Sequence, residues 1–186
     1  MLSVLSVDRL CASVPLCPCV SVSLCVCNSV PPILIGLISD THGLVRPQIA
    51  KIFSGVQLIL HAGDVGGAKV LEALNAIAPT EAVYGNVDDP HDPALKRERS
   101  ATVDGVTIHV SHGHELGRPT AALVAARYDG DVLVFGHTHR AVIHRDRSVL
   151  VVNPGAAGPR RFDIQPSVAL LRIAGGRADA EIISLA

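Results

Sequence analysis

Short apolar runs alternate with segments of helical periodicity from Ile33 onward, and this alternation limits the fold more than any other feature of the sequence. The apolar runs have the length of strands and are bounded by Gly and polar residues, whereas buried helices are longer. Strands that alternate with helices form βαβ units around a largely parallel sheet, so the sequence predicts an α/β fold. The expected strands are 33–38, 57–60, 81–84, 106–110 and 132–135, and the expected helices are 47–53, 67–77 and 119–128.

The last part of the chain has a different pattern. Its apolar runs at 149–152, 168–173 and 180–183 contain no long helical segment between them, so we expect a β meander there. A chain of 186 residues has the size of a single domain, because hydrophobic cores divide only in chains of more than about 250 residues. We therefore expect one domain over residues 33–186.

Residues 1–32 differ from the rest of the chain in composition. They are rich in Ser, Val and Cys, and Asp8 and Arg9 are their only charged residues. Pro15 and Pro18 interrupt the apolar stretch, which disfavours both a signal peptide and a membrane-spanning helix. We interpret the segment as a low-complexity leader that is either disordered or absent from the native protein. All five Cys residues lie within its first 27 positions, so no disulfide framework can stabilise the domain that follows.

Charge and aromatic content exclude several kinds of partner. Lys and Arg number 16 and Asp and Glu 17, without a run of like charges, so the chain lacks the basic footprint that nucleic-acid binding by counterion release requires. Aromatic residues make up 3% of the chain and Trp is absent, which leaves little material for base stacking. We expect a cytoplasmic protein with no membrane attachment and a small-molecule substrate, and the sequence leaves an oligomer possible.

Five of the expected strands end close to side chains that can bind a metal ion. In open α/β sheets the ligand crevice lies outside the carboxyl ends of the strands, so these side chains would meet although they are far apart in the chain. Gly residues flank them, as sharp turns at the ends of strands require. Seven ligands suit two metal ions. They are Asp40, His42, Asp64, Asn86, His112, His137 and His139.

The order of these residues resembles that of a known family. Asp-x-His, Gly-Asp, Gly-Asn, His-Gly and Gly-His-x-His occur in sequence between residues 40 and 139. This order is similar to the signature of the calcineurin-like metallophosphoesterases, and in particular to their small bacterial and archaeal phosphodiesterases. The resemblance covers residues 33–185. It implies a two-layered β sandwich flanked by α-helices and a phosphodiesterase that depends on two divalent metal ions.

The resemblance also implies a ligand set for each ion. The first ion would take Asp40, His42 and His139, the second would take Asn86, His112 and His137, and Asp64 would bridge the two. Imidazole, carboxylate and amide ligands suit Mn²⁺, Fe²⁺, Ni²⁺ and Zn²⁺. We expect manganese, with the other three as alternatives.

Charge in such a site favours an anionic substrate. Two divalent ions together with the carboxylates of Asp40 and Asp64 leave about two positive charges in the pocket. Two metal ions can also hold a bridging hydroxide and neutralise the charge of a phosphoryl group during in-line displacement. The expected reaction is the hydrolysis of a small phosphoester, most readily a phosphodiester.

Further residues are expected to act on the substrate. Asp64, His112 and His114 are the expected catalytic residues, and Asn86, His114 and Arg160 are expected to bind the substrate. His114 follows His112 by two residues, and an exposed loop position with no role is its alternative. Arg160 and Arg161 could clamp an anion with two parallel hydrogen bonds, and ordinary surface pairing is equally compatible with the sequence.

The chain departs from the family pattern at Val87. Many phosphatases of the superfamily have a His directly after the metal-binding Asn, where it acts on the leaving group, and Val87 cannot donate a proton. The proton must then come from water, from His91 or from His114, or the leaving group must be good enough to leave without it. We expect a slow or selective enzyme.

A second function is compatible with the same fold. In the retromer complex, a subunit of this fold with a degenerate metal site binds partner proteins instead of hydrolysing phosphoesters. Fold alone does not decide between the two functions. Because this chain keeps all seven ligands, we favour the enzyme over the scaffold.

Overall fold

The computed structural model describes residues 31–160 and 163–185, and the predicted leader lies outside these ranges except for its last two residues. The strands are β1 Ile33–Ile38, β2 Leu58–His61, β3 Thr80–Val83, β4 Leu95–Lys96, β5 Glu98–Val103, β6 Val106–Ser111, β7 Val132–Val134, β8 Val142–Asp146, β9 Val149–Asn153, β10 Ser167–Ala174 and β11 Arg177–Ser184. The α-helices are α1 Gln48–Ile52, α2 Ala68–Asn75 and α3 Ala121–Arg127, and a single 3₁₀ turn covers His114–Leu116.

The strands form two sheets. The first has the order β11-β10-β1-β2-β3-β4, and the second has the order β5-β6-β7-β9-β8. In the first sheet β1, β2, β3 and β4 are parallel to one another, and in the second sheet β6, β7 and β9 are parallel to one another. The remaining pairs are antiparallel: β1 with β10, β10 with β11, β5 with β6, and β8 with β9.

Three apolar clusters hold the layers together. The largest lies between the two sheets and includes Ile35 and Leu37 of β1 and Ile108 of β6, all fully buried. The second packs α1 and α2 on the outer face of the first sheet, and the third packs α3 on the outer face of the second. The fold is therefore a two-layered β sandwich flanked by α-helices, as the sequence predicts.

The alternation of side chains along β1 explains this arrangement. Successive side chains of a strand point to opposite faces, so Ile35 and Leu37 enter the sandwich core while Ile38 packs towards the helices. Gly36 also faces the helices, and a Cβ there would approach the ring of the fully buried Phe53 to 3.0 Å. Glycine at this position lets α1 pack directly on the sheet.

Two parts of the fold differ from the sequence prediction. The tail is not one meander, because β9 pairs with β7 in the second sheet while β10 and β11 extend the first. Strands β4, β5 and β8 were not expected: β5 is only partly buried, β8 is largely exposed, and both carry mixed polar residues instead of an apolar run. Among the described residues, no helix is both long and apolar enough to span a membrane.

Candidate metal centre

The predicted ligands lie on loops that begin where β1, β2, β3, β6 and β7 end. Five of them have a left-handed backbone conformation. This conformation costs free energy for residues other than glycine, and it is found most often at functional sites. Among the described residues only two further non-glycine residues, Asp104 and Arg147, share this conformation. The five, with their φ angles, are Asp40 (54°), His42 (46°), Asp64 (54°), His137 (66°) and His139 (58°).

Four predicted ligands form a first cluster. The Nε2 atom of His139 lies 3.1 Å from Oδ1 of Asp40 and 3.4 Å from Nε2 of His42. Asp64 completes the cluster, and one ligand atom from each of the four residues lies within 4.8 Å of the others. The aspartates are buried and the imidazoles are partly exposed, so the cluster opens to solvent on its histidine side.

The other three predicted ligands form a second cluster. The Oδ1 atom of Asn86 lies 3.0 Å from Nδ1 of His137 and 3.3 Å from Nε2 of His112. The two histidine rings stand edge to face with their centroids 5.2 Å apart. The structure therefore brings all seven predicted ligands together from five loops.

Asp64 lies between the two clusters. Its Oδ2 is 3.9 Å from Nε2 of His42, and its Oδ1 is 3.5 Å from Nε2 of His112. Burial would raise the pKa of this carboxyl, but the hydrogen bond and charge of His112 and the N–H of Val87 lower the pKa to about 2. Asp64 is therefore ionised at neutral pH, with one oxygen towards each cluster.

The hydrogen bonds of the histidine rings test whether the clusters fit metal ions. Nδ1 of the buried His112 donates to the carbonyl of Ala62 at 2.7 Å, and Nε2 of His137 donates to the carbonyl of Gly117 at 3.1 Å. Backbone carbonyls that fix a ring in this way are typical of metal-binding histidines, because the second nitrogen then presents its lone pair. In both rings that nitrogen faces Oδ1 of Asn86.

The distances between the ligand atoms also fit a shared ion. Ligand atoms that share one ion at about 2.1 Å lie roughly 3.0 to 3.4 Å from each other, and the contacts within both clusters fall close to this range. Oδ1 of Asp40 is buried and accepts no hydrogen bond. A buried carboxylate oxygen that accepts no hydrogen bond is costly unless a cation neutralises it. The residues therefore fit divalent metal ions.

A buried hydrogen-bond chain joins the first two loops beneath the ligands. The N–H of Gly63 donates to Nδ1 of His61, Nε2 of His61 bonds Oγ1 of Thr41 at 2.8 Å, and Thr41 donates to the carbonyl of Val65. Burial lowers the pKa of His61 to about 4, so the ring is neutral and its two nitrogens are an acceptor and a donor. His61 has the structural role that its position in an apolar run favours.

Asp88 is a site residue that sequence reasoning missed. Its carboxylate accepts three backbone N–H bonds of 2.9 to 3.0 Å, from Val65 and Gly66 in the loop after β2 and from Gly85 in the loop after β3. These are the loops that carry Asp64 and Asn86. Asp88 follows Val87 directly, and an acidic residue beside a predicted ligand was the only signal available in the sequence.

Of the predicted substrate residues, His114 lies beside the second cluster and Arg160 lies at the rim of the first. The ring of His114 is 5.4 Å from that of His112 and 6.4 Å from that of His137, measured between centroids. Arg160 is exposed and lines a small cleft together with His139. Arg161 lies outside the described residues.

The residue at the predicted leaving-group position lies on the surface. Val87 is 59% exposed, and its backbone N–H donates to Oδ1 of Asp64 at 3.1 Å. His91 is exposed, and among the described residues no hydrogen bond or ring contact joins its side chain to the clusters. Of the two side chains suggested as proton donors, only His114 therefore has its ring beside the clusters.

Comparison with known proteins shows the family of this chain. A model of the calcineurin-like phosphoesterase superfamily domain matches residues 33–176. The chain belongs to the calcineurin-like phosphoesterase superfamily. The probable metallophosphoesterase of Methanothermobacter thermautotrophicus is 37% identical over 81% of this chain and 92% of its own length. A phosphodiesterase of Methanocaldococcus jannaschii is 31% identical over 65% of this chain and 82% of its own length.

Solved structures share the fold. The vacuolar protein sorting protein Vps29 of Entamoeba histolytica, crystallised with Zn²⁺, superposes with a TM-score of 0.66 at 23% identity and covers 82% of this chain and 99% of its own. At this identity the likeness concerns the fold alone. The predicted family and fold class are confirmed. The relatives to which this protein is similar are named as phosphoester hydrolases.

Proposed function

We propose that this protein is a phosphodiesterase that hydrolyses a small phosphodiester with two divalent metal ions held by its seven predicted ligands. The orientation of Asp64 carries the proposal, because one ionised carboxylate presents an oxygen to each cluster. A shared carboxylate is what a pair of closely spaced ions requires. Imidazole, carboxylate and amide ligands suit Mn²⁺ and also Fe²⁺, Ni²⁺ or Zn²⁺.

Two ions bound there would supply Lewis-acid charge and an activated water nucleophile for phosphoryl displacement. The residues of the chain position these groups. The carbonyls of Ala62 and Gly117 fix the rings of His112 and His137, so the second nitrogen of each ring faces the centre. Asp40 and Asp64 contribute the only buried carboxylates described here, which leaves the loaded centre positively charged and attractive to a phosphoryl group.

The substrate would lie over the second cluster. His114 is partly exposed beside His112 and His137, where the N–H of its ring can donate a hydrogen bond to a phosphoryl oxygen. Burial is the main cause that lowers the pKa of His114, and this favours the neutral ring at neutral pH. Arg160, on the rim beside His139, would contact an outer oxygen of the substrate.

The relatives support a diester over a monoester. The matched protein of M. jannaschii is named a phosphodiesterase, and this chain has Val87 where many phosphatases of the superfamily have a His that acts on the leaving group. The Zn²⁺ bound by Vps29 supports metal binding by the fold.

A protein-interaction scaffold is the second candidate. The likeness to Vps29 favours it, whereas the complete ligand set favours the enzyme. A scaffold does not need two ions per chain, so metal content and turnover distinguish the two functions.

The test is a substrate panel measured on one preparation. Protein stripped with a chelator and then supplied with Mn²⁺ is assayed with bis(4-nitrophenyl) phosphate, a diester, and with 4-nitrophenyl phosphate, a monoester. His139→Gln removes a ligand, and His144→Gln makes the same change at an exposed position on β8 as the matched control.

We expect the stripped protein to be inactive, Mn²⁺ to restore diester hydrolysis, and the diester to be the better substrate. His139→Gln should lose most of this activity and His144→Gln should retain it. Turnover that survives chelation, or equal activity of the two variants, would contradict the proposed centre. Binding of Mn²⁺ without turnover of either ester would favour the scaffold.

A further inference from the structure

Two clefts adjoin the second cluster and differ in charge. One cleft reaches the cluster through His137 and has a volume of about 420 Å³. The other reaches it through Val87, the neighbour of Asn86, and has a volume of about 180 Å³. Each cleft therefore lies beside the position of a substrate held at the cluster.

The first cleft is basic. Arg118 and Arg140 line it together with Gly117, His137 and Thr138, and no acidic residue is part of its wall. Both arginines are exposed, and among the described residues neither guanidinium forms a hydrogen bond or an ion pair with another residue. Five N–H donors on each guanidinium are thus available to a ligand.

The second cleft is acidic. Asp88, Asp89 and Asp92 line it with the apolar side chains of Leu71 and Val87. The carboxylate of Asp88 is engaged by backbone N–H groups, and the other two carboxylates accept only local backbone bonds. An anionic substituent would be repelled on this side and attracted on the arginine side.

We propose that the cleft between Arg118 and Arg140 is a second anion site, which selects phosphodiesters that carry a further phosphate on one substituent. Guanidinium groups bind phosphate in a bidentate manner and retain their charge at all relevant pH values. The central phosphodiester lies at the metal centre, the further phosphate lies in the basic cleft, and the leaving group lies towards Val87. This inference rests on the proposed function and names the substrate class of the same site.

A matched pair of chromogenic diesters tests the site. Thymidine 5′-(4-nitrophenyl phosphate) and its 3′-phosphorylated form have the same reacting bond, and in both of them water adds to phosphorus as the P–O bond to nitrophenolate breaks. The quantity measured is the ratio of kcat/KM for the phosphorylated over the plain ester, in the Mn²⁺-loaded protein. Arg118→Gln with Arg140→Gln removes both cations.

Arg177→Gln is the control, because this exposed arginine begins β11 at the opposite end of the sandwich from the metal centre. We expect wild type and control to prefer the phosphorylated ester by about tenfold, since charge-assisted bonds at an exposed site are weakened by solvent. The double variant should have a ratio near one. A wild-type ratio near one, or a ratio that the double variant retains, would overturn the proposed anion site.

Binding distinguishes failure of this site from failure of the proposed function. Calorimetry compares thymidine 3′,5′-bisphosphate with thymidine 5′-monophosphate, and the measurement does not depend on turnover. If neither ester is hydrolysed, the proposed function is wrong, and the anion site is still supported by tighter bisphosphate binding that the double variant loses. Equal binding of the two nucleotides to wild type would overturn the anion site even if both esters were hydrolysed.

Discussion

Replacing Asp88 with asparagine should loosen the two loops that hold Asp64 and Asn86. In wild type, Oδ2 of Asp88 accepts two backbone N–H bonds and Oδ1 accepts a third, so one carboxylate joins both loops. An asparagine has one acceptor oxygen, and its NH₂ group cannot accept the remaining bond. Asp88→Asn therefore loses one of the three hydrogen bonds, and the other two no longer have a charged acceptor.

The size of the effect follows from the exposure of these bonds. Hydrogen bonds to a charged group contribute about 1.5 to 3 kcal/mol when they are buried, against about 1 kcal/mol for neutral pairs. The bond from Gly66 is exposed, so its loss costs about 1 kcal/mol. Two partly buried bonds that lose their ionic character cost about 0.5 to 1 kcal/mol each. We expect Asp88→Asn to lower the free energy of unfolding by about 2 to 3 kcal/mol.

Urea unfolding of the chelator-treated protein, followed by far-ultraviolet circular dichroism, measures this loss. Asp89→Asn is the matched control, because its carboxylate is exposed and accepts one local bond from the N–H of His91. Such a surface change should cost less than about 0.5 kcal/mol. Mn²⁺ affinity should also fall by about ten- to a hundredfold in Asp88→Asn, as for other residues that orient ligands. Equal unfolding midpoints for the two variants, with equal metal affinities, would refute this role of Asp88.

Three further predictions concern the centre and its support. Asp64→Asn removes a carboxylate that faces both clusters, so elemental analysis should find fewer than two ions per chain and kcat/KM for a diester should fall by several orders of magnitude. Val87→His should speed the cleavage of esters with poor leaving groups by about 10²-fold or more and leave nitrophenyl esters almost unchanged, as a leaving-group series would reveal. The pKa of His61 is lowered by burial to about 4; the unfolded chain therefore binds a proton between about pH 6.5 and pH 4 that the folded chain does not, and stability falls as the pH falls through this window. His61→Gln should flatten the dependence of unfolding free energy on pH in the metal-free protein by up to about 1.4 kcal/mol per pH unit.

Each of these three has an outcome that contradicts it. An Asp64→Asn protein with two ions and normal rates would exclude the shared carboxylate. A Val87→His protein that gains equally across the leaving-group series would show that proton donation is not what the site lacks. Parallel pH profiles for wild type and His61→Gln would mean that the ring is protonated in the folded chain.

Local sequence patterns were sufficient to predict that the seven side chains meet, because these residues stand at the ends of buried strands. The apolar runs of β1, β2, β3, β6 and β7 are short and end at glycine-flanked polar residues, so both the strands and the loops could be read from neighbouring residues. The convergence of the loops follows from parallel strand direction, which the alternation with helices predicts.

The features that were missed depend on contacts between distant residues. Strand β5 is half exposed and pairs with β6 through its backbone, so its side chains carry no apolar run. Strands β9 and β10 are both apolar, and only packing decides that they enter different sheets. Asp88 binds backbone N–H groups 22 and 23 residues away, and Arg118 and Arg140 meet only in the folded chain.

Counting the bound ions while following turnover tests the dinuclear centre most directly. Stripped protein is titrated with Mn²⁺, excess metal is removed, and the Mn²⁺ content per chain and the hydrolysis of bis(4-nitrophenyl) phosphate are measured on the same samples. The seven ligands and the position of Asp64 predict two ions per chain at saturation and activity that follows occupancy of the pair. Full activity in protein that holds no metal, or saturation at a single ion with full turnover, would contradict the account.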